Sequence, residues 1–169
     1  YRDWICVGRT DELREAGDYV VATIGDQSLV LTRDREDRVH AFHNTCRHRG
    51  SKLCTEPRGR FANGRIVCPY HAWSYGLGGE LLTTPRMELP SDFRREEYPL
   101  YIAHLDSWGG FLFVNLSDTP ASDLASFLGD EAEQVRRWPL ADLVLVHREV
   151  STLACNCKLF WENYPGYPS

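Results

Sequence analysis

Two short stretches of this chain carry residues that ligate metals. The first reads Cys46-Arg47-His48-Arg49-Gly50 and the second Cys68-Pro69-Tyr70-His71-Ala72-Trp73. Each offers one thiolate and one imidazole, the ligand types taken by borderline and soft metals. Nineteen residues separate His48 from Cys68. Paired ligands of a Cys2His2 zinc finger usually lie two to five residues apart around one tetrahedral ion. A Cys-x-His pair such as the first is tighter. It suits two loops that face each other across a two-iron cluster, with both cysteines on one iron and both histidines on the other. One such pair alone would carry little weight, because an unligated Cys is often a small buried hydrophobe. The doubled pattern, set among Gly and Pro, points to Cys46, His48, Cys68 and His71 as metal ligands. A zinc-stabilised binding module is the competing chemistry.

Two His in place of two Cys on one iron is the Rieske [2Fe-2S] arrangement, which raises the potential above that of an all-Cys cluster. The two stretches, the second extended through Ser74 and Tyr75, resemble the Rieske domain of ring-hydroxylating oxygenase α subunits. That family includes monooxygenases of quaternary ammonium compounds. The resemblance takes in Asp18-Tyr19-Val20, Ala41-Phe42-His43-Asn44 and residues 108–116. It reaches Asn156-Cys157-Lys158 and Glu162-Asn163, where the family usually has Asn-Trp-Lys and Glu-Asn, so Cys157 is a departure. Rieske proteins of the respiratory-complex type carry an extra Cys in each loop. Here Ser51 and Tyr70 stand in those places, and Ala72-Trp73 replaces the usual Gly-Ser. A hydroxyl donor to the cluster is therefore expected to be missing, which predicts a potential toward the low end of the Rieske range.

The resemblance implies one-electron transfer through the cluster, with a reductase or ferredoxin as electron donor. It implies that the cluster feeds a mononuclear non-haem iron, which activates O2 to hydroxylate a small aromatic or quaternary ammonium substrate. It also implies a homo-oligomer, a trimer, in which one subunit's cluster lies beside its neighbour's iron. The outward N–H of each ligand His is then expected to give a pH-dependent potential. The family's iron-binding acid follows Glu-Asn, but Pro165-Gly166 fills its place here and no His follows His147. The mononuclear iron is thus expected only in a catalytic part that these residues lack. Residues 1–153 read as the Rieske domain, with a cluster-binding subdomain at about 43–84, and 154–169 as the start of a truncated catalytic domain. A self-contained Rieske ferredoxin-like carrier is the alternative, and such a carrier has no reason to bear Asn156-Cys157-Lys158 or Glu162-Asn163. Without the following helix, Glu162 reads as a structural remnant.

Composition bounds the rest. A chain of 169 residues, 43% hydrophobic and 25% charged, can bury a core as one domain. A net charge of −5 leaves no basic footprint for nucleic acid. No apolar run is long enough for a bilayer helix, and the N-terminus has no signal-peptide pattern. Six cysteines in so apolar a chain fit a reducing cytoplasm better than a disulfide framework. Cys6 and Cys155 lie in apolar runs and are expected to be buried; Cys54, in a loop, is expected to be exposed. Arg47 and Arg49 are read equally well as docking charges for an electron donor and as solvated surface charges. His40, His43, His104 and His147 have no ligand spacing.

The elements that must position the ligands are strands. Residues 4–8, 19–24, 28–32 and 39–42 read as four antiparallel strands in a meander, parted by Gly25-Asp26 and the polar turn 34–37. Residues 65–67 lead into the second loop, and 98–105, 111–116 and 143–153 complete the strands. Residues 84–97 read as loop. One short helix is expected after Ser122 or Asp123, on a stripe of Leu124, Phe127, Leu128, Ala132, Val135 and Trp138, interrupted at Gly129 and ended by Pro139. The fold class is all-β, an antiparallel Rieske domain with an inserted cluster-binding subdomain.

Overall fold

The computed structural model describes residues 2–85, 88–156 and 159. Ten strands run through them: β1 (Ile5–Arg9), β2 (Asp18–Ile24), β3 (Gln27–Arg33), β4 (Val39–His43), β5 (Arg58–Arg60), β6 (Arg65–Val67), β7 (Ser74–Gly76), β8 (Leu81–Thr83), β9 (His104–Trp108) and β10 (Phe111–Asn115). They form three antiparallel sheets, ordered β1-β10-β9, β4-β3-β2-β5 and β6-β7-β8.

The alternation of side chains along β3 and β4 explains how the sheets stack. Leu29, Leu31 and Ala41 pack with Leu112 and Val114 of β10 in one core. Val30 and Phe42, pointing the other way, pack with Ile66, Tyr75 and Leu81 of the small sheet in a second core. The four-stranded sheet is therefore the middle layer. Its outer neighbours are the β1-β10-β9 sheet and the subdomain that carries both ligand loops.

Two turns hold this order. Gly109 and Gly110 close the β9–β10 hairpin with φ of 57° and 81°, the left-handed pair that a two-residue loop of this twist requires. The β3–β4 turn is organised by Asp34. One carboxylate oxygen accepts from the Glu36 and Arg38 amides, and the other from the Arg38 guanidinium and His40.

The structure corrects several expectations. Strand β1 does not join the meander. The chain turns away at Thr10–Glu12, and β1 pairs instead with β10, Ile5 opposite Val114. The strand expected at 98–105 begins only at His104, because residues 101–103 cross between sheets. On the way they touch β4 at one bridge, Phe42 with Ile102. Strand β5, Arg-Gly-Arg, lacked any β-branched or aromatic signal and pairs with β2. One helix becomes two, α1 (Leu124–Leu128) and α2 (Asp130–Gln134), because Gly129 adopts φ 52° and breaks the ladder. Asp123 caps α1 by accepting from the Ser126 amide at 2.7 Å. Only Leu124 of the expected stripe is buried, and Phe127 and Trp138 are exposed. Residues 143–153 form no strand among the described residues. That segment is held by side chains instead, with Asp11 accepting from the Leu145 amide and Glu12 pairing with Arg148.

The cysteines also differ from expectation. Cys6 and Cys155 are exposed and Cys54 is buried. Cys6 lies on a strand at the edge of its sheet, where alternate side chains face out. Cys54 is drawn in by its own backbone, which hydrogen-bonds to the buried Asn44 side chain. Cys157, Lys158, Glu162, Asn163, Pro165 and Gly166 lie outside the described residues. Among the described residues no helix is long and apolar enough to cross a membrane.

Candidate metal centre

Strand β4 leads into the first ligand loop, and β6 and β7 flank the second. The two loops share a backbone plan. In the first, the Cys46 amide donates to the Ser51 carbonyl at 2.8 Å and the Gly50 amide to the Cys46 carbonyl at 3.0 Å. In the second, the Cys68 amide donates to the Trp73 carbonyl at 2.8 Å and the Ala72 amide to the Cys68 carbonyl at 3.0 Å. The fifth residue of each loop is left-handed: Gly50 at φ 68° and Ala72 at φ 58°. The motifs differ only in where the imidazole hangs, two residues after the Cys in one loop and three after it in the other.

Asn44 anchors the first loop. Its carbonyl oxygen accepts from the Leu53 and Cys54 amides at 3.0 and 2.9 Å. Its amide donates to the Cys54 carbonyl and to Ser28 Oγ. At 2% exposure, Asn44 thus spends its full hydrogen-bonding capacity tying the loop to β3 and to the strap 53–54.

The four predicted ligands come together as two pairs sorted by chemistry. Cys46 and Cys68 are both buried, with the two thiols beside one another. The rings of His48 and His71 lie 4.8 Å apart, edge to face. Nδ1 of each ring is buried without a hydrogen-bond partner. An orphaned buried nitrogen costs about 1–3 kcal/mol, and a metal at that atom would remove the cost. Among the described residues no three His, Cys, Asp or Glu side chains converge on one point for a single ion. The residues fit a group with sulfur ligands at one end and nitrogen ligands at the other. Burial, with repulsion from His71 and Arg49, holds His48 below its ordinary pKa, which favours the neutral ring that ligation requires. Burial pushes the Cys46 thiol up, and the Tyr75 hydroxyl pulls against it.

An aromatic shell surrounds the pairs. Trp73 stacks on His48 with centroids 4.8 Å apart and planes within 6°. Phe93 meets Trp73 edge-on and stacks on Tyr98. Tyr70, exposed, lies 3.8 Å from the His71 ring. The remaining histidines stand apart as expected; His40 bonds to Asp34 and His104 to the Asp118 carbonyl.

Tyr75 is the functional residue that spacing did not single out. It is fully buried, and its hydroxyl lies 3.3 Å from Cys46 Sγ while accepting the Arg47 amide at 3.1 Å. Ala72 and Trp73 supply no hydroxyl, as expected, but Tyr75 on β7 brings a different one to the Cys46 sulfur. The signal was the strand that follows the second loop, which is buried along its whole length and sets Tyr75 against the first. Arg47 is half-buried and makes internal contacts. It donates to the Pro99 carbonyl and lies over Tyr101. Arg49 is exposed.

Residues 3–98 match the family model of the Rieske [2Fe-2S] domain. The oxygenase subunit of glycine betaine monooxygenase from Pseudomonas aeruginosa is 34% identical over 163 residues, which cover 96% of this chain and 37% of that protein. The crystal structure of the quaternary ammonium Rieske monooxygenase CntA with L-carnitine superposes with a TM-score of 0.87 at 30% identity, over 96% of this chain and 46% of that one. Naphthalene 1,2-dioxygenase with indole bound superposes at 0.72 and 29% identity, over 80% of this chain and 30% of that one. The chain spans less than half the length of these relatives. With its paired loops and this match, the chain belongs to the Rieske [2Fe-2S] domain family, binds a [2Fe-2S] cluster, and is homologous to the oxygenase subunits of Rieske oxygenases.

Proposed function

We propose that Cys46 and Cys68 hold one iron of the cluster through sulfur and that His48 and His71 hold the other through Nδ1. The observation that carries this is the pair of orphaned Nδ1 atoms beside a buried pair of thiols. When bound, the cluster supplies a one-electron couple. The protein's part is to bring both imidazoles together, exclude water with Trp73 and Phe93, and donate from Tyr75 to Cys46 Sγ. Changing Cys46 to Ser or His71 to Asn is expected to abolish the visible absorption and the acid-labile sulfide of purified protein. Retention of both in either variant would overturn the assignment.

The domain acts as the electron-entry part of an oxygenase that hydroxylates a small organic substrate with O2. A quaternary ammonium compound is the substrate class this reading favours, because glycine betaine and carnitine monooxygenase subunits match across 96% of this chain. The Rieske domain spans 1–153 in this reading, its subdomain 43–84, and 154–169 begin the catalytic part, whose mononuclear iron lies beyond them. A reductase or ferredoxin supplies electrons, and the exposed, cationic Arg49 beside His48 suits an acidic donor. The assembly is a trimer of the cytoplasm. An oxygenase carrying this domain is expected to consume O2 with glycine betaine or carnitine and not with naphthalene. The reverse preference would refute the substrate class.

A further inference from the structure

Arg47 lies between Cys46 and His48 in the chain, yet its side chain reaches a different segment. Nη1 donates to the Pro99 carbonyl at 3.1 Å, and Nη2 lies 3.5 Å from the Glu97 carbonyl. The guanidinium carbon is 4.1 Å from the centroid of the Tyr101 ring and 5.7 Å from that of Tyr98. Two carbonyls and two rings thus fix this group, and through it the backbone of the first loop. That backbone matters because the Arg47 amide donates to Tyr75 Oη at 3.1 Å, and Tyr75 Oη lies 3.3 Å from Cys46 Sγ. A ligating Cys46 thiolate has no proton to give, so the hydroxyl donates to the sulfur, and the hydrogen bond it accepts from the Arg47 amide strengthens that one.

We infer that Arg47 is a positioning residue: its side chain clamps the amide that aims the Tyr75 hydroxyl at Cys46 Sγ, and so sets the electron affinity of the cluster. The inference rests on the ligand assignment proposed above. Positive charge near the cluster would also favour reduction, whatever the geometry. Lysine separates the two effects. It keeps the charge, but an ammonium has no rigid planar fork to span the two carbonyls and no flat face to lie against two rings.

The test uses Arg47→Lys, Tyr75→Phe and the double variant, each first assayed for iron and sulfide. Arg47→Lys is expected to keep the full cluster while the ratio of reduced to oxidised protein at fixed ambient potential falls about threefold to tenfold. A tenfold fall corresponds to about 59 mV for a one-electron couple. Added to Tyr75→Phe, the same change is expected to produce no further fall, since its effect runs through the missing hydroxyl. A wild-type potential in Arg47→Lys would overturn the clamp, as would a full shift in the Tyr75→Phe background. Where Arg47→Lys loses the cluster, Tyr101→Leu removes the exposed ring under the guanidinium; a smaller fall supports the clamp and none overturns it. If Cys46→Ser retains the cluster, the ligand assignment has failed rather than the clamp.

Discussion

Ala72 shows what a single residue costs at this centre. It occupies a left-handed backbone position at φ 58°, where its loop twin has Gly50. Its side chain is exposed, so replacing it removes no packing. Ala72→Gly is expected to stabilise the protein by about 1 kcal/mol, read as a rise in the denaturant midpoint. Gly50→Ala is expected to cost about the same, purely through backbone strain, since a Cβ there would meet no atom within 4 Å. Tyr75→Phe removes one hydroxyl from Cys46 Sγ. Loss of a bond worth about 1 kcal/mol is on the order of 40 mV for one electron, and redox titration should find the potential lowered by that much. An unchanged potential would mean that the hydroxyl does not donate to the sulfur. The four ligand types and their spacing were legible from sequence. Tyr75 was not, because its importance lies in which way a strand faces and not in any motif. The fates of Cys6 and Cys54 were misread for the same reason: burial follows from strand register and from the grip of Asn44, which a run of residue types does not display.

At the scale of elements, the ligand loops are only as fixed as the segments that hold them. Asn44 replaces a turn's worth of backbone pairing with four hydrogen bonds from one buried side chain. Asn44→Ala strands two amides and a carbonyl, and is expected to cost about 3 kcal/mol and to loosen the cluster; equal urea midpoints would contradict this. The β3–β4 turn makes a second, pH-dependent contribution. Burial alone would raise Asp34, but hydrogen bonds from His40, the Arg38 amide and the Arg38 guanidinium outweigh it and bring the carboxyl to about 2. A value lowered in the folded state means stability that is present above the unfolded value near 4 and lost as pH falls toward 2. That contribution is about 2 kcal/mol. Asp34→Asn should remove it and flatten the acid limb of a stability profile, and an unchanged limb would refute it. The β2–β3 hairpin, with its clear turn at Gly25-Asp26, was legible. The pairing of β1 with β10 was not, because partners more than a hundred residues apart leave no local trace.

Across the whole molecule, the layered sheets bring His48 and Cys68, with nineteen residues of chain between them, into one centre. The middle sheet has a buried side chain on both faces, with Leu29 and Leu31 toward one core and Val30 toward the cluster subdomain. The all-β class and the inserted subdomain follow from this alternation. The helical region was overread, since a glycine at φ 52° divides it and its apolar residues other than Leu124 find little to pack on. The central claim is that these loops hold two irons bridged by sulfide rather than one zinc. Iron, zinc and acid-labile sulfide per chain, measured on freshly purified protein, test it most directly. Two irons and two sulfides per chain are expected; zinc without sulfide would contradict a [2Fe-2S] centre.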